Sequence, residues 1–218
     1  LAPACRAGSA RAAMRSLVVL HSTDAATVFL SLHARTDLTQ EDIERELYEE
    51  RRLVRMLAMR RTLFVVPREL VPVVQAAATR GVAERERRRL EKFILDSGVT
   101  KRPSAWLERA MAAAMDELEA RGEAFTADLT KAVPLLAKKL RLGVGSKWEA
   151  TQSAGARVLP QLAMEGRVIR ARPRGSWVNG QYRWAPTTTW LGGEIDGLET
   201  GGAQAQLLGH WLRAFGPA

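Results

Sequence analysis

The stretch Glu165–Pro186, EGRVIRARPRGSWVNGQYRWAP, limits the possible folds more than any other part of the chain. It holds five arginines and two tryptophans, with no acid after Glu165. Read with period two, Ile169 and Ala171 fall on one face of a first strand and Arg170 and Arg172 on the other. In a second strand Val178, Tyr182 and Trp184 oppose Asn179, Gln181 and Arg183. The spacing predicts a hairpin whose apolar side packs on the rest of the chain while its guanidinium groups point outward together.

Helices are expected ahead of it. Ser104 can cap a helix with Leu107, Ala110, Met111, Ala114 and Leu118 on one stripe, and Gly122 lies just past its end. Phe125 and Thr126 open a short helix closed by Pro134. Ser146 and Glu149 have capping-box spacing and predict a helix from Lys147 to Glu165, kinked at Pro160 and followed by Gly166. Three helices followed by a basic hairpin is the plan of a winged helix, whose third helix enters the major groove while the wing touches backbone or minor groove.

The first half reads as a smaller mixed unit. A helix from Arg11 to Ala34 is expected to break near His21–Asp24, with Ala25, Val28, Phe29 and Leu32 on one face beyond the break. Thr39 and Asp42 resemble a capping box, and helix is expected to continue through RRLVRMLAMRR until TLFVVP forms a strand stopped by Pro67. Arg68–Asp96 looks helical, and its run ERERRRLEK interleaves acids with bases as a solvated helix face does. SGVTKRP, Ser97 to Pro103, is the linker candidate. The fold class expected is mainly α with short β-hairpins, an α+β chain of tandem winged helices. Its parts are a first unit at 1–67, a helical connector at 68–101, a second winged helix at 102–188 and an incomplete third at 189–218. The amphipathic tail (Leu207, Leu208, Trp211, Leu212, Phe215) and a Leu at position 1 suggest a fragment.

Charge sharpens this. The net charge is +9, and Pro134–Trp190 alone carries ten Lys/Arg against Glu149 and Glu165. A local excess of that kind suits a polyanion, because each phosphate neutralised releases condensed counterions; a basic surface kept for solubility is the bland alternative. No apolar run reaches a membrane span, and SLVVL is too short for a signal-peptide core. Cys5 is the only cysteine, so neither an internal disulfide nor a cysteine zinc site can form, and no metal-ligand spacing appears. The expected setting is cytoplasmic, at the nucleoid, as a monomer without membrane, metal or cofactor, with double-stranded DNA as partner.

Three stretches resemble the winged-helix proteins of the AlkZ/YcaQ type, which include bacterial DNA glycosylases. They are VVLHSTDAATVFLSLHAR (Val18–Arg35), LYEERRLVRMLAMRRTLFVVP (Leu47–Pro67) and Gly145–Pro186 with its Lys-Trp start and Gly-Ser-Trp…Tyr-Arg-Trp wing. The resemblance implies tandem winged helices, usually three, wrapped around duplex DNA. It also implies excision of alkylated or bulky purines by a pair of polar residues, Gln-x-Gln or Gln-x-Asp, that orient a water at the sugar C1′. Here those positions read His21-Ser22-Thr23.

An imidazole can take a proton from water at neutral pH and a threonine hydroxyl can hold that water, so His21 and Thr23 are the catalytic candidates. The competing reading has Thr23 or Asp24 capping the next helix and His21 merely polar. Arg60 and Arg61, at the expected helix end before TLFVVP, are DNA-binding candidates, with pairing to Glu49 or Glu50 as the alternative. Arg170, Arg172, Arg174 and Arg183 follow for want of nearby acids, and Lys147 is a further candidate. Trp177, beside Gly175 at the wing tip, is the aromatic expected to touch DNA, while Trp148 and Trp184 read as core. Besides a glycosylase, a non-catalytic DNA-binding or regulatory protein on the same scaffold fits these residues, and an acidic protein or RNA could meet the basic face.

Overall fold

The computed structural model describes residues 6–216, and Cys5 lies outside them. The first unit runs α1 (Ala10–Arg15), β1 (Leu20–His21), α2 (Ala25–His33) and α3 (Gln40–Glu44), then β2 (Leu53–Leu57) and β3 (Leu63–Pro67). α3 starts at the expected box: Thr39 and Asp42 exchange side-chain bonds with each other's backbone N–H. It continues into one wide turn, Arg45–Glu49. The strands form an antiparallel sheet in the order β1-β3-β2.

The helix expected through Arg51–Arg61 is a strand instead. All five residues of β2 are buried, and Leu53–Leu57 pair with Pro67–Leu63 in register. A strand apolar on both faces shows no alternation, so its sequence cannot be told from a buried helix by period alone. Arg60 and Arg61 therefore form the tip of a hairpin rather than a helix end, both with left-handed backbone, φ 54° and 63°.

Beyond β3, α4 (Val71–Val74) and a second wide turn lead into α5 (Arg80–Asp96); α6 (Pro103–Arg121), α7 (Thr126–Ala132) and α8 (Pro134–Ala137) follow. Ser104 does not cap α6, which begins at Pro103, a residue preset for the first helical position. The stripe Leu107, Ala110, Met111, Ala114 and Leu118 is fully buried, as its spacing requires.

The helix expected from Lys147 is shorter. β4 (Lys139–Leu142) and β5 (Ala150–Ser153) form a hairpin, and α9 begins only at Gly155 and ends at Met164. Gly143 and Gly145 reverse the chain with φ of 63° and 78°, and Glu149 closes the loop rather than capping a helix. Its carboxylate accepts from the Gly145 N–H at 2.9 Å and from Arg141 at 2.7 Å, which holds it below the usual carboxylate range. Gly155 allows α9 to lie close to α7, since a Cβ there would stand 2.3 Å from Thr130 Oγ1. Pro160 lies inside α9.

β6 (Val168–Pro173) and β7 (Tyr182–Pro186) form the predicted hairpin, with a register shift between Arg170 and Pro173. Ala124 bridges Trp184 as a short third strand. Along its paired strands this hairpin leaves no residue fully exposed. Ile169, Ala171 and Ala185 join the core of the first unit, while Val168 and Trp184 join a second core built on α5, α6, α7 and α9. Val178, expected on the inner face, falls in the loop and is exposed. α10 (Thr187–Leu191) and α11 (Thr200–Phe215) complete the chain; α11 rests on α4 and the wide turn before α5. Among the described residues, no helix is long and apolar enough to cross a membrane.

Candidate active site and nucleic-acid interface

His21 pairs with Phe64 across the sheet, and the two rings meet edge-on with centroids 5.4 Å apart. The following turn is pinned on both sides. The Ser22 N–H donates to the Leu63 carbonyl at 2.7 Å, and Asp24 caps α2 by accepting from the Ala26 N–H at 3.1 Å. Asp24 thus takes the capping role and leaves the Thr23 hydroxyl for His21: Thr23 Oγ1 lies 3.1 Å from His21 Nε2. Both side chains are exposed.

Thr23 lies on the rim of a cavity of about 430 Å³ between the β2–β3 tip, α5 and α9. Arg60, Arg61, Arg157 and Arg170 line it, against Glu86 as its one carboxylate. Glu86 is shared between Arg61 at 2.9 Å and Arg89 at 3.8 Å. Arg157 Nε has no partner, and burial together with the charges of Arg61 and Arg89 pushes its pKa below the usual guanidinium value. An anion entering here meets more positive charge than the protein itself neutralises.

The wing arginines do not all point outward together. Arg172 is tucked against the first unit, 2.7 Å from Glu44 and 3.2 Å from Glu49, with its guanidinium 4.9 Å from the Tyr48 ring centroid. Arg170 lies flat on Trp184, 3.5 Å from the ring centroid, and burial pushes its pKa down to about 10. Arg183 reaches Glu123 at 3.8 Å. Arg174 is exposed and rests on Phe125 at 4.3 Å. The expected cradle of outward guanidinium groups is thereby corrected. The hairpin is wedged between two cores, so Arg172 and Arg183 meet carboxylates of the same chain while Arg170 lies on an aromatic ring.

Trp177 is half-buried against Phe29, centroids 4.8 Å apart, and packs on the first core. The exposed tryptophan of this region is Trp148, on the β4–β5 loop beside Lys147. Among the described residues, Arg60 and Lys147 are exposed and have no ion pair or side-chain hydrogen bond. Glu49 and Glu50, weighed as partners for Arg60 and Arg61, are taken by Arg172 and Arg52.

Sequence reasoning missed Arg55 and Arg157. Arg55 has left a trace: it is the one charged residue in the apolar pentad LVRML. Arg157 has left none, because the groups around it, Arg61, Glu86 and Arg89, come from distant parts of the chain.

The family model described as DNA glycosylase AlkZ-like matches residues 14–218. Among solved structures, the Streptomyces sahachiroi DNA glycosylase AlkZ is similar, with a TM-score of 0.61 at 19% identity. That match covers 100% of this chain and 54% of the other, so the chain spans about half the length of that protein. No curated protein matches the sequence.

Proposed function

Because the chain belongs to the AlkZ-like DNA glycosylase family, we propose that it grips duplex DNA on the face carrying His21, Thr23 and the Arg60–Arg61 tip. There it removes an alkylated or bulky purine adduct by hydrolysis. The observation that carries this reading is the 3.1 Å contact between His21 Nε2 and Thr23 Oγ1 at the rim of a cavity rich in arginine.

An N-alkylated purine carries positive charge and is already a good leaving group. Hydrolysis then needs little more than a held water and the exclusion of competing geometries. Thr23 holds the water and the His21 imidazole accepts its proton as the water oxygen bonds to C1′. The C1′–N bond breaks, and its electron pair neutralises the purine. Phe64 keeps the imidazole from turning away. The arginines cannot stabilise an oxocarbenium ion by charge; their part is to hold the flanking phosphates.

Element order supports a tandem winged-helix reading. Helix, strand, helix, helix, hairpin describes α1–β1–α2–α3–β2–β3 within 1–67. It also describes α6, the Ala124 bridge, α7, α9 and β6–β7 within 102–188, with α8 and the β4–β5 hairpin inserted before the third helix. Arg60, Arg61, Lys147 and Arg174 are the phosphate contacts of this reading.

The test is incubation with duplex carrying N7-alkylated purine, followed by detection of alkali-labile abasic sites. His21→Ala is expected to lower the rate by about 10²–10⁴-fold, the usual range for a lost general base, with duplex affinity kept. Tight binding without cleavage by the unaltered protein would identify a non-catalytic DNA-binding protein, a reading favoured by His-Ser-Thr standing where the resemblance leads one to expect Gln-x-Gln or Gln-x-Asp.

A further inference from the structure

Arg55 is 1% exposed, and among the described residues none of its three guanidinium nitrogens has a hydrogen-bond partner. A buried cation left in this state is costly unless an opposite charge comes near. It lies 4.4 Å from the Tyr182 ring centroid, on β2, against which β6 packs. Its charge is felt by the hydroxyls of Tyr48 and Tyr182 and by Arg170. Those groups are also unsatisfied: Tyr48 Oη, Tyr182 Oη and Arg170 Nε are buried without partners.

The acids within electrostatic reach are already held. Glu44 is bound by Arg172 and Gln40, and Asp24 caps α2. Burial raises the pKa of both phenols, which therefore remain protonated and able to donate. The cluster is rich in donors and poor in acceptors.

Arg170 and Tyr182 line a cavity of about 690 Å³ between α7 and the β6–β7 hairpin, together with Lys131, Arg174, Thr126 and Ser153. Among the described residues, three cations and no carboxylate line this cavity, in contrast to the cavity beside Thr23, which holds Glu86. We propose that this cavity is a seat for one phosphate group, bound by Arg170, Arg174 and Lys131, with the buried Tyr182 behind them and Arg55 as a fixed positive charge. A phosphate offers the many acceptor lone pairs that these donors lack. The phosphate is either a phosphodiester of the gripped strand, which rests on the DNA reading above, or a free phosphate, which does not.

Two arms separate these sources. In the first, thermal unfolding of the full chain is followed with inorganic phosphate against chloride at equal ionic strength. Phosphate is expected to raise the melting temperature. Arg170→Met, and independently the exposed Lys131→Ala, should each weaken the apparent phosphate affinity, Arg170→Met by at least tenfold. In the second, duplex binding is measured against salt. Arg170→Met should lower the slope of log affinity on log salt by about 0.9 if a strand phosphate sits there. A phosphate effect lost in the variants with the duplex slope unchanged assigns the seat to free phosphate. A chain that binds no duplex but still responds to phosphate sinks the DNA reading and keeps the seat. No phosphate effect together with an unaltered duplex slope overturns it, as does a phosphate effect that survives both substitutions. Lys131→Ala guards against misfolding, because its side chain supports no packing.

Discussion

The hairpin Leu53–Pro67 ends in a five-residue tip, Ala58–Thr62, whose Arg60 stands in solvent unpaired and whose Arg61 shares one carboxylate. The hairpin Val168–Pro186 is richer in arginine, yet Arg172 binds two glutamates of the first unit and Arg170 is pressed on Trp184. Position explains the contrast. The paired strands of the first hairpin are buried but its tip projects, whereas the second is built into the seam between two cores and its long loop folds back through Trp177 onto Phe29. Density of positive charge in a sequence therefore says little about positive charge on a surface. What decides is whether the carrying element ends in solvent or between other elements.

The seam itself can be probed by pH, with the largest expected effect. Tyr48, 7% exposed, has its pKa raised to about 12 from 10.0, first by burial. Between those values the unfolded phenol has lost its proton while the folded one retains it. Stability present below pH 10 should thus fall as pH rises toward 12, by about 3 kcal/mol at about 1.4 kcal/mol per unit. Urea unfolding of the protein and of Tyr48→Phe across that range checks this, and the variant should lose much of the slope. A residual slope of the same sign is expected from Tyr182, whose pKa burial also raises.

Much of the fold could be read because particular residues carry local signals. The Thr39–Asp42 box, the stripe from Leu107 to Leu118, and Gly122 and Gly166 past helix ends each act within a few residues of their position. β2 and β5 gave no such signal. Leu53–Leu57 is apolar on both faces, and Ala150–Ser153 is a strand only because Lys139–Leu142 lies beside it. Of the candidate site, the His21–Thr23 pair was legible because it lies within one turn. Arg172's engagement was not, since its partners Glu44 and Glu49 are more than 120 residues away.

A smaller effect separates the two hairpins directly. Arg172→Ala leaves Glu44 and Glu49 without their cation in a half-exposed setting. A loss of about 1 kcal/mol is expected, in keeping with partly exposed ion pairs. The same change at Arg60 removes nothing from the folded protein and should leave the unfolding midpoint within error. Equal destabilisation by the two would mean that the tip, too, is anchored, and the contrast between the hairpins would fail.

DNA binding turns the comparison round, with the smallest change per residue. An arginine already neutralised by glutamates displaces few counterions when a phosphate approaches, whereas an unpaired one contributes nearly a full charge. Arg60→Ala should accordingly lower the slope of log affinity on log salt by about 0.9, and Lys147→Ala by a similar amount. Arg172→Ala should leave the slope unchanged even where it lowers stability. These slopes are to be measured on undamaged duplex of more than one sequence, because phosphate contacts carry no base information. A slope that drops for Arg172→Ala and not for Arg60→Ala would mean that Glu44 and Glu49 release their arginine to DNA, and would move the grip from the first hairpin's tip to the paired strands of the second.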